Sequence, residues 1–256
     1  MAELRRLLIE HVRLKNNIGI DRSLCLEPQE AHYLKRVLRL RRGDLIEIVD
    51  GVGNLWEAIF QGDTSIHVSS FLDCPLETQP CPNPLVGLAV VVPKRGFDEL
   101  LRMSCEIGVD IIQPLSSDRG VVRMQTNGEK SARWHGILRE AVEQCERLWK
   151  PEFREAIDFE VWVEQRPSEA IFAFATTRSR ETMDFQLWMK ELKKGMDQVW
   201  VIIGPEGGWT QREQLLAQHA NFKEIQLGDS IMRTSTAAVA ATQLMVSWRR
   251  NSSFYF

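Results

Sequence analysis

Five apolar runs, LVGLAVVVP (85–93), VDIIQPL (109–115), AIFAFAT (170–176), QVWVIIGP (198–205) and KEIQLG (223–228), are separated by longer amphipathic stretches. An apolar run without polar alternation suits a strand buried on both faces, and such strands belong to parallel sheets covered by helices. Strands alternating with helices, the first of them GFDELLRMSCEIG (96–108), predict a largely parallel α/β sheet in this part of the chain.

The pattern before residue 74 is different. GDLIEIVDGVGNLWEAIF (43–60) alternates apolar and polar residues around Asp50-Gly51-Val52-Gly53-Asn54, as a hairpin of half-buried strands does. One helix is predicted within PQEAHYLKRVLRL (28–40), where Ala31, Leu34, Val37 and Leu38 share a face. Four of the ten prolines fall between Pro75 and Pro84, where they remove backbone donors and hold the chain extended. The division predicted is a β-rich domain over 1–73, a linker over 74–84 and an α/β domain over 85–256.

Composition excludes several classes. With 44% hydrophobic and 26% charged residues, the chain has the material for a packed core. A formal charge of −3 argues against a generally basic surface, although it leaves room for a local basic patch. Glu3, Arg5, Arg6, Glu10 and Arg13 interrupt any signal-peptide core, and no run approaches a membrane span. Cys25, Cys74, Cys81, Cys105 and Cys145 form an odd, scattered set that fits a reducing compartment, and the expectation is a cytoplasmic protein. The five histidines have no metal-ligand spacing, so no metal is expected.

Two loops carry the chemical signal. The run QVWVIIGPEGGWTQREQ (198–214) takes an apolar strand into Gly204-Pro205-Glu206-Gly207-Gly208, with Thr210 and Glu213 spaced as a capping box for the next helix. Glycines there permit close backbone approach to a ligand, and ligands of open α/β sheets bind beyond the carboxyl ends of strands. A tight turn without a ligand is the competing reading. Neither GxGxxG nor GxxxxGK[ST] occurs, which leaves a nucleotide-dependent oxidoreductase a distant alternative. The second loop, IQLGDSIMRTSTAAVAATQLM (225–245), repeats the arrangement, and Arg233 beside it can hold a carboxylate, a phosphate or a developing anion.

GPEGG after an apolar strand, followed by LGxxIxRTxTAAxAA, resembles the signature pair of the RsmE family of small-subunit ribosomal RNA uridine N3-methyltransferases, within the SPOUT methyltransferases. Supporting similarity lies in RVLRLRRGD (36–44), VVPK with its helix (90–107), IGVDIIQPLSSDR (107–119) and EAVEQCERLWKPE (140–152), so it covers nearly the whole chain. The resemblance implies a small PUA-like β-barrel domain for RNA binding and an α/β methyltransferase domain threaded as a trefoil knot. It also implies S-adenosylmethionine as cofactor and a homodimer that completes each site.

Carried onto this sequence, the cofactor contacts are Gly204, Pro205, Glu206, Gly207 and Gly208, then Leu227, Gly228, Ile231, Met232 and Thr234, with Ala175 and Thr176 from a third loop. Uridine N3 must lose its proton to become nucleophilic, so a carboxylate serves as base and a cation stabilises the uracil anion. Arg233 is the candidate for the anion, and Glu206 or Glu143 for the base. Two departures from the family pattern touch this machinery: Arg233-Thr234-Ser235-Thr236 stands where relatives have RTET, and Glu143-Gln144-Cys145-Glu146-Arg147 where they have EQ, a small residue and GR. For RNA, Lys35, Arg36, Arg39, Arg41 and Arg42 form an acid-free basic run, with Lys94, Arg119 and Arg147 as further contacts. The alternatives are a methyltransferase of transfer RNA or large-subunit RNA, and a catalytically silent RNA-binding assembly factor.

Overall fold

The structure, a computed structural model, describes residues 5–62, 64–121, 128–177, 182–193 and 195–253, with side chains to Asn251. Glu3, part of the N-terminal charge pattern, lies outside them. The chain divides into two compact units: residues 1–81 together with 139–150, and residues 82–138 together with 151–256.

In the first unit the elements run β1 (Arg6–Leu8), α1 (His11–Asn17), β2 (Ser23–Cys25), α2 (Pro28–His32), β3 (Leu45–Val49), β4 (Asn54–Phe60), β5 (Ser65–Val68) and β6 (Glu77–Thr78). The strands pair in the order β1-β3-β4-β5-β2, with β6 on β4, and only the β1/β3 pair is parallel. Among the described residues β1 and β2 do not pair, so the expected barrel is an open path of strands rather than a closed ring. The predicted hairpin is β3 and β4, with Ile48 opposite Trp56 and Ile46 opposite Ala58. These four join Leu7, Leu14, Leu24, Leu34 and Phe60 in one core cluster.

Three features of this unit depart from the sequence expectation. The helix foreseen over 28–40 is α2 followed by a π-helical turn, Tyr33–Val37. The wider turn shifts the phase of the face: Leu34 is buried and Val37 is 60% exposed. The region read as linker contains β6, because Pro75 and Pro80 bracket four residues whose backbone donors remain: Leu76 N donates to Leu55 O at 2.7 Å and Gln79 N to Gly53 O at 2.8 Å. Residues 139–150, read as part of the C-terminal domain, belong to the first unit. Gly53 N donates to Leu148 O at 3.1 Å and Lys150 N to Gly51 O at 2.9 Å, with a bridge between Val52 and Trp149.

The remaining elements are β7 (Leu85–Val91), α3 (Phe97–Ile107), β8 (Ile111–Ser116), α4 (Gly128–Cys145), β9 (Glu152–Phe153), β10 (Ile157–Asp158), α5 (Phe159–Gln165), β11 (Ala170–Ala175), β12 (Met183–Asp184), α6 (Phe185–Glu191), β13 (Gln198–Ile203), α7 (Gln211–His219), β14 (Lys223–Gln226) and α8 (Thr234–Ser253). Helix α4 passes from the second unit to the first at residue 139.

The sheet of the second unit is parallel throughout, in the order β10-β8-β7-β13-β11-β14-β12, with β9 also on β8. All five apolar runs form strands of it, as burial on both faces requires. Ala89, Phe172, Phe174, Trp200 and Ile202 pack with Phe159, Trp162 and Ala217 of α5 and α7. The residues alternating with them, Leu88, Val90, Ala173, Val201 and Ile203, are equally buried, and α8 contacts β7 and β13. Gly87 stands opposite Trp200 in the ladder, and a Cβ there would lie 2.2 Å from the indole, so only glycine admits that ring. Among the described residues no helix is long and apolar enough to cross a membrane, and no cluster of three or more metal-ligating side chains occurs.

Candidate cofactor cleft

Strands β13, β11 and β14 are neighbours in the parallel sheet, so their carboxyl ends emerge side by side. The loops that follow them enclose a cleft of about 360 Å³ in the second unit. Such a position, beyond the carboxyl ends of parallel strands, is where open α/β sheets bind ligands.

Gly204 to Gly208 all line the cleft, as do Ala175 and Thr176 at the end of β11. Leu227, Gly228, Ile231, Met232 and Thr234 line it from the third loop. The twelve residues selected in the sequence as cofactor contacts therefore share one concavity.

Hydrogen bonds tie the three loops to one another. The Thr234 hydroxyl, at the start of α8, donates to Gly204 O at 2.9 Å. The Trp209 indole N–H donates to Ala175 O at 3.0 Å, and its ring stacks on Phe174 with centroids 4.8 Å apart. A Cβ on Gly204 would sit 2.7 Å from that indole, so the glycine there makes room for the tryptophan. Gly208 adopts φ 69°, in the left-handed region, and nothing lies within 4 Å of where its Cβ would stand.

The loop after β8 braces the same wall. Arg119 donates to Gly207 O at 3.2 Å and Trp209 O at 3.4 Å. Thr210 and Glu213 form the capping box that the sequence indicated, and the buried Glu213 carboxylate also accepts from Asp118 N at 3.0 Å.

The catalytic candidates separate. Glu206 lines the cleft and is exposed. Arg233 is exposed on the third loop between two lining residues, Met232 and Thr234, without itself lining the cleft. Glu143 lies in the first unit, where it is 6% exposed, accepts from Leu8 N at 3.0 Å and pairs with Arg139 at 3.3 Å. Burial pushes its carboxyl up from the ordinary value. That is a bond set that holds the fold.

Of the RNA candidates, Arg36, Arg39, Arg41 and Arg42 are exposed and make no ion pair among the described residues, while Lys35 is half-buried. Arg147 is also half-buried, Lys94 is exposed, and Arg119 lines the cleft. Sequence reasoning missed Trp209, Gln226, Asp229 and Ser230, which line the cleft too. Their signal was available: each immediately adjoins a strand end or one of the two motifs.

Residues 80–246 match the model of the RNA methyltransferase domain, and residues 26–69 that of the RNA methyltransferase PUA domain. The Synechocystis protein named ribosomal RNA small subunit methyltransferase E is 34% identical over 224 residues, 87% of this chain and 72% of that one. Its namesake from Rickettsia conorii is 29% identical over 90% of both chains. Among solved structures, the crystal structure of ribosomal RNA small subunit methyltransferase E from Neisseria gonorrhoeae, bound to S-adenosyl methionine, superposes with a TM-score of 0.78 at 26% identity, covering 96% of this chain and 98% of that one. With its PUA unit, its parallel sheet and its three-loop cleft, the chain belongs to the RNA methyltransferase family of ribosomal RNA small subunit methyltransferase E.

Proposed function

We propose that this protein transfers a methyl group from S-adenosylmethionine to N3 of one uridine in the RNA of the small ribosomal subunit. One observation carries the reading: three loops from adjacent parallel strands, bonded to one another, converge on a single cleft that both sequence motifs line.

The lining fits the cofactor. Ile203, Leu227, Ile231 and Met232 offer apolar surface, while Thr176, Gln226 and backbone amides offer polar partners. The open space over Gly208 lets a ligand lie against the main chain. When bound, the cofactor supplies an electrophilic methyl group.

The protein's own tasks are to align the uracil and manage its proton. The Glu206 carboxylate takes the proton from N3, and the Arg233 guanidinium holds the negative charge that then spreads to the uracil oxygens. The commitment of Glu143 to Leu8 and Arg139 favours Glu206 as the base. The exposed arginines of the 36–42 run hold RNA phosphates, with Lys35, Lys94, Arg119 and Arg147 as further contacts.

The chain is threaded as a trefoil knot, a reading that rests on its family membership. Two copies of the protein pair, which is consistent with Val239, Ala240 and Leu244 of α8 being only half-buried within one subunit. Single-turnover methylation of small subunits tests the assignment of Arg233. Arg233→Ala should lose about 100-fold in rate while cofactor binding by calorimetry stays unchanged. Full turnover in that variant removes Arg233 from the mechanism.

A further inference from the structure

The first unit has a cavity of its own, of about 340 Å³, that the reading above leaves unused. Helix α1 contributes His11, Leu14 and Lys15, which share a face at spacings of three and four. Asn54 and Trp56 of β4, two apart, present one face of the strand, and the segment around β6 closes the wall with Leu72, Asp73, Pro75 and Thr78.

Its polar wall is held in place from behind. Asp50 is 1% exposed, and its carboxylate is 2.8 Å from His11 Nδ1 and accepts from Asn54 Nδ2 at 2.8 Å. The same carboxylate accepts from the backbone of Val52 and Asn54, which fixes it in the β3–β4 turn. The Thr78 hydroxyl in turn donates to Asn54 Oδ1 at 3.1 Å. A buried carboxylate that orients two wall side chains is the device by which proteins preorganise a polar site. Lys15 is exposed at the rim with no ion pair among the described residues.

We propose that this cavity binds one nucleotide of the RNA substrate, turned out of its strand. The base enters against Leu72, Pro75 and the Trp56 side, its polar edge meets His11, Asn54 and Thr78, and Lys15 takes the adjoining phosphate. Apolar surface beside mixed donors and acceptors is what a nucleobase requires, and unstacked bases are what sequence-specific RNA recognition reads. This inference rests on the proposed RNA substrate, but it adds a second point of recognition on different residues from the arginine run.

The test measures binding of small-subunit ribosomal RNA to the full chain by fluorescence anisotropy across a salt series, beside methyl transfer. Lys15→Ala, an exposed change, should weaken RNA binding about fivefold and lower the slope of log affinity against log salt by about one, with cofactor affinity unchanged. Leu72→Trp, which narrows the cavity on its apolar side, should weaken RNA binding with the thermal midpoint retained. Unchanged RNA affinity in both variants overturns the proposal while leaving the methyltransferase reading intact. Loss of methyl transfer by the unaltered protein, with these binding differences still present, overturns the proposed chemistry and supports the pocket. Binding of uridine monophosphate that Leu72→Trp abolishes, with RNA affinity unaffected, assigns the cavity to a free nucleotide and overturns the RNA reading.

Discussion

The cleft of the second unit and the ionic network of the first solve opposite problems. The cleft is lined largely by backbone and small or apolar side chains on three loops. The network concentrates charge: Glu30, 1% exposed, pairs with Arg13 and Arg139, and Arg139 also pairs with the buried Glu143. Burial works against the charge on Glu30, but bonds from Arg13, the Glu27 amide and Arg139 outweigh it and hold the carboxyl below its ordinary range. Burial dominates at Glu143 and pushes its carboxyl up. Among the buried carboxylates, displacement therefore marks the groups that hold β1, α2 and α4 together. The residues proposed to do chemistry lie elsewhere, on loops whose conformation, rather than buried charge, is their distinguishing property.

That contrast can be broken from either side. Glu30→Gln removes the buried counter-charge that Arg13 and Arg139 share, leaving Arg139 only Glu143 among the described residues, and should cost the first unit about 3 kcal/mol in urea unfolding. The pH dependence has a definite sign. A carboxyl lowered by folding contributes stability that is complete above its unfolded value, near 4.5, and is lost as pH falls through the folded value, so the variant should lose that part of the acid limb. Glu143, raised by burial, works in the opposite direction. Retention of wild-type stability and acid limb in Glu30→Gln would make the network ornamental.

On the other side, Gly204→Val places a side chain where Trp209 now lies and should displace both loops, costing about 100-fold in methyl transfer. Unfolding of the first unit, followed separately, should be unaffected. The smallest effect belongs to Trp209→Phe, which keeps a ring against Phe174 but removes the donor to Ala175 O. A rise of about fivefold in KM for S-adenosylmethionine at unchanged kcat is expected from the loss of one partly buried hydrogen bond. An unchanged KM would show that the ring alone positions the loop.

Much of the second unit was legible because strands buried on both faces leave continuous apolar runs, and all five became strands. Twelve of the residues that line the cleft were legible through motif order and the resemblance. The first unit hid more. Helix α1 has seven residues and buries only Leu14, too little for a periodic signal. The π-helical turn at Tyr33–Val37 cannot be told from an α-helix by apolar spacing alone. Strand β6 has two residues, below any pattern, as do β9, β10 and β12 at the margins of the second unit's sheet. The return of 139–150 to the first unit depends on contacts across more than a hundred residues, such as Arg139 to Glu30, which local patterning does not encode. Trp209 was passed over because a buried tryptophan beside a glycine loop reads as core, and its bond to Ala175 O exists only once β11 and β13 are neighbours.

The most direct measurement is to incubate small ribosomal subunits from cells lacking this protein with labelled S-adenosylmethionine and the purified chain, and to map the modified nucleotide by mass spectrometry. One methyl group per subunit is expected, on N3 of a single uridine. Label on another atom or another RNA, or cofactor binding without any transfer, contradicts the assignment.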